Sequence, residues 1–212
     1  MIVELVAVTK PVIEGIDSAE DLVSYCARVS NPSNQLNLGT APKLLRYLIA
    51  HKHWSPFEMA SATIKIVTSR AIAAQILRHR SFSFQEFSQR YSEVVNLEEI
   101  QWRSQGKTNR QVGDEEYILN EESQEIVDRS LRTSQEAYSK LLEEGVAKEC
   151  ARMVLPMTTE TTMYMTGNLR SWIHYIDLRG KEDTQKEHRE IAEGIKDIFK
   201  KEFPVISEAL DW

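Results

Sequence analysis

Residues 78 to 91, RHRSFSFQEFSQRY, concentrate side chains that are suited to binding an anion. The segment contains Arg78, Arg80 and Arg90, together with a histidine, a carboxylate, hydroxyl groups and three phenylalanines. Arginine forks match phosphate and carboxylate oxygens in bidentate geometry, so several arginines beside serines suggest a phosphorylated ligand. Alternatively, the arginines could simply stabilise a helix C-terminus, where the helix dipole favours cations. That alternative explains one basic residue but not Arg90 or the phenylalanines.

A second group, His51, His53, Ser55 and Glu58, combines imidazole and carboxylate groups, which zinc and iron accept as ligands. The spacing does not match a known metal-binding pattern. A turn with exposed polar side chains is the simpler explanation, and we therefore predict no metal site.

A third group lies in the last third of the chain. It consists of Arg152, Asn168, Arg170, His174 and Arg179. In a helix over residues 167 to 179, Arg170 and His174 would share a face because they are four residues apart. Taken alone, such a pattern favours a solvated helix face.

Apolar periodicity and chain breakers predict the elements that would position these groups. Strands are predicted over residues 2–8, 61–67 and 158–166, with a weaker extended segment over 91–95. Helices are predicted over 19–30 (capped by Ser18), 42–52, 70–80 (capped by Thr68 or Ser69), 121–145, 147–155, 168–179 and 182–203. In the helix over 70–80, Gln75 and Arg78 would be neighbours on one face.

Residues 97 to 120 are polar and aperiodic, which predicts a long loop or an insertion. The order of the elements indicates an α+β fold, with an antiparallel sheet flanked by helices in a single domain over residues 1 to 212.

The composition is that of an ordinary globular protein, with 212 residues of which 42% are hydrophobic and 27% are charged. The net charge of −6 argues against general affinity for nucleic acids or acidic membranes, so any binding of anions must be local. The two cysteines, Cys26 and Cys150, are too few for a disulfide framework. No base lies near Cys150 in sequence, so we expect it to be a buried small apolar residue. Without a signal peptide or an apolar run long enough to span a bilayer, we expect a soluble, cytoplasmic protein.

The first and third groups also resemble a known family. Arg78, His79 and Arg80, followed after seven residues by Ser88, form the RHRx7S signature of the flavin-dependent thymidylate synthases. Further segments are similar to those of the family and occur in its order: ARVSNP, HWSPFE, AAQILRHR, SQRYS, AKECARMVLP and NLRSWIHYIDLR. Only residues 97 to 120 are unmatched.

The resemblance implies reductive methylation of deoxyuridylate (dUMP) to thymidylate (dTMP). It also implies that methylenetetrahydrofolate is the carbon donor and that NADPH or NADH reduces a bound FAD. The flavin hydride would reach the pyrimidine ring without a cysteine nucleophile. Family members are homotetramers with active sites at subunit interfaces, in the cytoplasm, or in the host cytoplasm if virally encoded.

The resemblance also assigns site residues. For the nucleotide the matching positions are Gln75, Arg78, Glu86, Phe87, Ser88, Gln89, Arg90, Arg152 and Arg179. For the flavin they are His53, Ser55, Glu58, Arg78, His79, Arg80, Gln85, Glu86, Asn168, Arg170 and His174. Arg179 would be the catalytic side chain, because a fixed guanidinium stabilises charge that develops on the ring carbonyl. Ser88 would be a ligand contact, since no base is placed to activate it.

Three positions depart from the family pattern. Residue 85 is Gln and residue 174 is His where other members have Asn, and residue 59 is Met where many have His. The histidine keeps a polar contact but can titrate.

Two other classes of function are consistent with parts of the sequence. A nucleic-acid-binding protein could use the RHR segment and its aromatic residues as a stacking platform, although the acidic composition opposes this. A metal-dependent phosphohydrolase could use His51, His53, Glu58 and His79, but the aspartates that such enzymes use are absent from the group.

Overall fold

An antiparallel sheet in the order β1-β2-β6-β3 organises the chain, and a separate hairpin pairs β4 with β5. The structure is a computed structural model and describes residues 1–93 and 96–212. The strands are β1 (Ile2–Val8), β2 (Ser61–Ser69), β3 (Ser83–Glu86), β4 (Arg103–Gln105), β5 (Gly113–Glu116) and β6 (Glu160–Asn168). The helices are α1 (Ala19–Ala27), α2 (Ala41–Ala50), α3 (Arg70–Ile76), α4 (Glu121–Glu143), α5 (Lys148–Ala151), α6 (Leu169–Arg179), α7 (Lys186–Glu202) and α8 (Pro204–Ala209). Short 3₁₀ helices lie at Pro32–Asn34, Leu38–Thr40, Ser55–Met59 and Arg152–Val154.

The core lies between one face of the sheet and the helices that cover it. Alternation along β2 buries Ile64 and Ile66, which lie opposite Met165 and Met163 of β6. The indole of Trp172 on α6 packs into this layer and donates from Nε1 to the carbonyl of Ala62 at 3.1 Å. Because side chains alternate across a strand, this pattern leaves the opposite face of the sheet to polar residues.

A glycine at the end of β6 allows the chain after α3 to return to the core. A Cβ on Gly167 would lie 2.5 Å from the ring of Phe82, so no larger residue fits without a shift. Phe82 packs edge-on against Trp172, with ring centroids 4.6 Å apart. This contact fixes where β3 begins.

The predicted fold class is confirmed, and most of the predicted elements are present. Ser18 caps α1 by accepting a hydrogen bond from the backbone N–H of Asp21 at 3.0 Å. α1 ends at Ala27 rather than at residue 30, and α7 begins at Lys186 rather than at residue 182. Pro204 opens a further helix, α8, which was not predicted. The predicted extended segment over 91–95 includes residues 94 and 95, which lie outside the described residues.

The helix predicted over residues 70 to 80 ends at Ile76, and this prediction was wrong. The N–H groups of Arg78 and His79 donate three residues back, to Gln75 and Ile76, which tightens and ends the helix. Arg78 is therefore not a helical neighbour of Gln75. Ser69 is the N-cap residue, but its side chain makes no capping hydrogen bond.

Two elements were not predicted: strand β3, and the β4–β5 hairpin within the segment that was predicted to be a loop or an insertion. β3 is an edge strand of four residues, too short to show a clear alternation. The segment 97–120 contains the β4–β5 hairpin, whose strands carry polar and charged residues and thus no hydrophobic pattern. A Cβ on Gly113 would lie 2.6 Å from Cβ of Arg103, so glycine permits the close approach of the two strands.

Within the described ranges, no helix has both the length and the apolar composition needed to cross a bilayer.

Candidate active site

Helix α6 supports one wall of a surface cavity. Asn168 is its N-cap and accepts a hydrogen bond from the N–H of Ser171 at 2.8 Å. Arg170 and His174 follow four residues apart and line a cavity of about 660 Å³. The complete lining is Trp54, Glu58, Ser81, Asn168, Arg170, Ser171, Ile173, His174 and Asp177. Four of the predicted flavin-binding residues are thus brought together: Glu58, Asn168, Arg170 and His174.

The 3₁₀ helix after α2 supplies the opposite wall of this cavity. Its Glu58 carboxylate accepts a hydrogen bond from the guanidinium of Arg170. Both side chains remain partly exposed, so the pair is solvated and contributes little to stability. Its effect is to orient the guanidinium of Arg170 in a cavity that Trp54 also lines.

At the other end of α6, Arg179 contacts the RHR segment. Its Nε donates a hydrogen bond to Nε2 of His79 at 2.9 Å. Burial, reinforced by the nearby charge of Arg179, lowers the pKa of His79 to about 4. The imidazole is therefore neutral at pH 7 and can accept this hydrogen bond. Arg179, as a cation in the last turn of a helix, is also stabilised by the helix dipole.

A chain of polar side chains runs through the interior next to this contact. The hydroxyl of Tyr175 lies 3.0 Å from Nε2 of His188, and Nδ1 of His188 lies 3.4 Å from Oε1 of Gln75. Nε2 of Gln75 donates to Oε1 of Gln185 at 2.7 Å. Burial lowers the pKa of His188 to about 3 and raises that of Tyr175, so both groups are neutral at pH 7.

The same chain continues to the hairpin. Nε2 of Gln185 donates to Oε2 of Glu187 at 3.0 Å, and Arg103 of β4 donates to both oxygens of Glu187 at 2.6 and 2.8 Å. Burial alone would raise the pKa of Glu187, but the hydrogen bonds from Arg103 and Gln185 outweigh it and the pKa is lowered. Glu187 is therefore a carboxylate in an ion pair whose two side chains are 16% and 15% exposed.

The carboxylate in the segment 78–91 is held by the protein itself. Oε1 of Glu86 accepts hydrogen bonds from Arg70 at 2.7 Å and from the hydroxyl of Thr161 at 3.0 Å. Arg70 also donates to the carbonyl of Phe87 at 3.1 Å. These bonds fix the end of β3 and the turn that carries Ser88.

Ser88 and Arg90 lie on a second concave surface of about 370 Å³, which they share with residues around the start of α5. Arg90 is paired with Glu149 at 3.3 Å, and both side chains are more than half exposed. The neighbouring Gln89 is buried, and its amide nitrogen has no hydrogen-bond partner among the described residues. Arg152 donates from Nε to the carbonyl of Glu149 at 3.4 Å, which places it near this surface.

Several predicted site residues are not brought into either concavity. Arg78, Arg80, His53, Ser55 and Gln85 are exposed. Within residues 1–93 and 96–212, the side chains of both arginines make no hydrogen bond or ion pair.

The side chains considered for a metal do not converge. The ring of His51 stacks on Tyr47 with centroids 4.0 Å apart, and Nδ1 of His51 lies 2.9 Å from the carbonyl of Tyr47. Glu58 is turned to Arg170. Among the described residues, no group of three His, Cys, Asp or Glu side chains is placed to bind a metal ion.

The structure assigns roles to residues that the sequence left open. Phe82 is buried in the core, so packing explains it, whereas Phe84 and Phe87 are half-buried. Cys150 is exposed, and the prediction that it is buried was wrong. It lies in α5, a single helical turn with only Ala151 buried.

Sequence analysis missed the residues that support the site from outside it, above all Arg70, Arg103, Gln185, Glu187 and His188. One of them, His188, carried a detectable signal. His188 falls in register with the buried residues Ile191 and Ile195 of α7, which places a histidine on an apolar helix face. The partners of Arg70 and Arg103 lie 16 and 84 residues away, and periodicity does not reveal such pairs.

The comparisons with known proteins agree on one family. Residues 11–205 match the family model described as "Thymidylate synthase complementing protein". The chain is 52% identical to the probable flavin-dependent thymidylate synthase of Paramecium bursaria Chlorella virus 1, and 47% identical to the flavin-dependent thymidylate synthase of Synechocystis sp.. Each alignment covers 100% of both proteins.

A solved structure with a similar fold contains a nucleotide. The UMP/dUMP methylase of Streptomyces cacaoi, in a crystal structure with 5-Br dUMP, superposes with a TM-score of 0.81 at 28% sequence identity. The superposition covers 99% of this chain and 94% of the methylase.

Proposed function

Because the chain belongs to the family of flavin-dependent thymidylate synthases, we propose that it methylates dUMP to dTMP with FAD as its flavin. Methylenetetrahydrofolate is the proposed carbon donor, and NADPH or NADH the proposed reductant. The observation that carries this proposal is the similarity to both relatives, which extends over the full length of each.

The large cavity beside α6 suits part of a flavin dinucleotide. Trp54 and Ile173 offer apolar surface to a planar ring, while Arg170, Asn168 and His174 offer polar and charged groups to phosphate or ring atoms. Bound FAD would supply the hydride that is delivered to the pyrimidine ring. The residues of this chain bind the cofactor and orient it. Glu58 holds Arg170 in place in this scheme, and His53, Ser55, Arg78, Arg80 and Gln85 are proposed as further contacts.

The concave surface at Ser88 and Arg90 is the proposed phosphate site of dUMP. The guanidinium of Arg90 pairs with Glu149 at the surface, and a phosphate can displace this exposed partner at low cost. Gln89 supports the assignment, because its buried amide nitrogen has no hydrogen-bond partner among residues 1–93 and 96–212. Arg152 lies close enough to add a second cation. Glu86 and Phe87 hold the shape of this turn through Arg70.

Arg179 is the proposed catalytic residue. Nε is bound to His79, which orients the guanidinium and leaves its remaining N–H groups for the pyrimidine carbonyl. A fixed positive charge at that carbonyl stabilises negative charge that develops on the ring during transfer.

A mechanism without a cysteine nucleophile fits both thiols. Burial raises the pKa of Cys26, which disfavours the reactive thiolate. Cys150 is exposed on α5, and neither cysteine lines the cavity or the surface at Ser88.

A homotetramer with shared active sites is the proposed assembly. Two observations support it. Predicted ligand-binding residues such as Arg78 and Arg80 are exposed on the surface of the single chain. Large apolar side chains are also exposed near α5, with Tyr91 at 84% and Met153 at 78%.

The proposed function is tested on purified protein by titration with FAD and then with dUMP. We expect the protein to bind FAD, the absorbance of the bound flavin to change on addition of dUMP, and dTMP to form when methylenetetrahydrofolate and NADPH are present. Protein that is colourless after incubation with excess FAD and removal of the unbound flavin would rule the proposal out. Tight, salt-dependent retention on single-stranded DNA would instead favour the nucleic-acid-binding alternative.

A further inference from the structure

The interior chain from Tyr175 to Arg103 has a single direction. Glu187 is a carboxylate and only accepts hydrogen bonds, so the group of Gln185 that faces it at 3.0 Å must be the amide NH₂. Oε1 of Gln185 then faces the NH₂ of Gln75 at 2.7 Å. Each amide orientation therefore follows from the carboxylate at the end.

The direction continues through His188. Since Oε1 of Gln75 is an acceptor, Nδ1 of His188 must carry the proton in the contact at 3.4 Å. Nε2 is then bare and accepts from the hydroxyl of Tyr175 at 3.0 Å. Every donor points from Tyr175 towards Glu187, and the buried neutral ring of His188 supports one fixed tautomer.

The last residue of this hydrogen-bonded chain, Arg103, comes from the segment 97–120, to which the proposed function assigns no role. Arg103 on β4 donates to both oxygens of Glu187 and is the reason that this carboxylate stays charged at 15% exposure. The hairpin is thereby connected to Gln75 through two further hydrogen bonds, from Gln185 to Glu187 and from Gln75 to Gln185. Reversal of any one bond would leave two donors or two acceptors facing each other, which is costly for buried groups.

We propose that Arg103 and Glu187 are positioning residues of the nucleotide site, which fix the orientation of the Gln75 amide through this one-way chain. The positioning role rests on the proposed function, because it takes Gln75 as a contact of dUMP. A fixed amide presents a donor on one edge and an acceptor on the other, so it distinguishes a uracil ring from a cytosine ring, whose donors and acceptors are exchanged.

The direction of the chain is tested by ¹⁵N NMR of the protein labelled with ¹⁵N-histidine, where the two ring nitrogens of each neutral tautomer have different shifts. The His188 signals are assigned by their loss in His188→Asn. We expect the Nδ1–H tautomer in the wild-type protein. The Nε2–H tautomer in the wild-type protein would overturn the proposal without the need for any variant.

The controlling role of the carboxylate is tested with Glu187→Ala. The substitution removes the acceptor that holds the NH₂ of Gln185 and leaves the donor Arg103 at this end of the chain, so the amides of Gln185 and Gln75 are no longer held in one orientation. We expect His188 to lose the single Nδ1–H tautomer, the dissociation constant of dUMP to rise about tenfold, and the preference for dUMP over dCMP to fall by a similar factor. The matched control is Glu193→Ala, an exposed acid on the same helix paired with Arg189, which should change none of these.

Two results for Glu187→Ala would overturn the proposal. An unchanged tautomer would show that the carboxylate does not set the direction. A changed tautomer with unchanged dUMP affinity and selectivity would show that the chain does not position the nucleotide. Failure of the wild-type protein to bind dUMP would contradict the proposed function, and it is distinguishable because the tautomer is measured without nucleotide.

Discussion

In the proposed mechanism, the guanidinium of Arg179 has two tasks that a smaller or more flexible cation could not combine. One nitrogen is bound to the neutral ring of His79, and the others are directed away from that contact. A lysine has a single nitrogen on a flexible stem, so it cannot hold a protein partner and a ligand in the same fixed geometry.

Replacement of this residue gives the sharpest test of the proposed chemistry. We expect Arg179→Ala to lower kcat for dTMP formation by about 10²–10³, since it removes a donor aimed at developing charge. FAD binding, measured by flavin absorbance, should be retained because Arg179 does not line the large cavity. Arg179→Lys serves as the control and should give intermediate activity. Near-normal turnover of Arg179→Ala would show that the role is misassigned.

Buried His188 predicts a loss of stability in acid. Its pKa is about 3 in the folded protein and about 6.5 in the unfolded chain. The unfolded chain therefore binds more protons between these values, and the free energy of unfolding decreases as the pH falls below about 6.5. Between pH 7.5 and pH 5 we expect a loss of about 2 kcal/mol from this residue, measured by urea unfolding. His188→Asn should show a smaller pH dependence, and an equal one would contradict the assignment.

At the scale of elements, the contact between Gly167 of β6 and Phe82 ties the RHR segment to the sheet. A Cβ at residue 167 would approach the phenylalanine ring to 2.5 Å. We expect Gly167→Ala to lower the free energy of unfolding by about 1–3 kcal/mol, because an overpacked core forces the ring to move. Chemical denaturation measures the change.

A second substitution separates this clash from other effects of alanine. Phe82→Leu should be destabilising alone, but combined with Gly167→Ala it should cost less than the sum of the two single changes. Strict additivity would show that the two residues do not compete for the same space.

The elements that could be predicted from the sequence are those whose pattern is local. β2 alternates, α4 and α7 have long amphipathic repeats, and Ser18 caps α1 as its spacing indicates. β3 and the β4–β5 hairpin could not be predicted, since β3 is defined by pairing with β6 and the hairpin by the Arg103–Glu187 contact. The site behaves in the same way. The residues proposed to face the ligands carry a recognisable motif, but Arg70 and Arg103 are identified only by the side chains that they contact.

At the scale of the whole molecule, the net charge is −6, although the proposed binding sites contain several arginines. Acidic residues are spread over exposed helices such as α4, whereas arginines gather at the ends of α3, α5 and α6. A phosphorylated ligand is therefore attracted locally and not by the net charge.

The exposed apolar surface around α5 predicts self-association. Light scattering of the purified protein should give a mass four times the 24.4 kDa of one chain. We expect Met153→Glu to shift the protein to smaller species, because burial of a carboxylate in an apolar interface is costly. Val12→Glu, at a fully exposed position before α1, is the control and should leave the mass unchanged. A monomeric wild-type protein would contradict the proposed assembly.

Helix α6 also fixes the separation of two arginines. Arg170 near its start and Arg179 at its end belong to one uninterrupted helix, so a rise of about 1.5 Å per residue keeps their backbones about 14 Å apart. This separation cannot shorten to fit a smaller ligand while the helix stays intact. One residue inserted between the two arginines would turn Arg179 by about 100° away from His79. The number of residues in this one helix therefore sets the distance between the proposed cofactor contact and the proposed catalytic guanidinium.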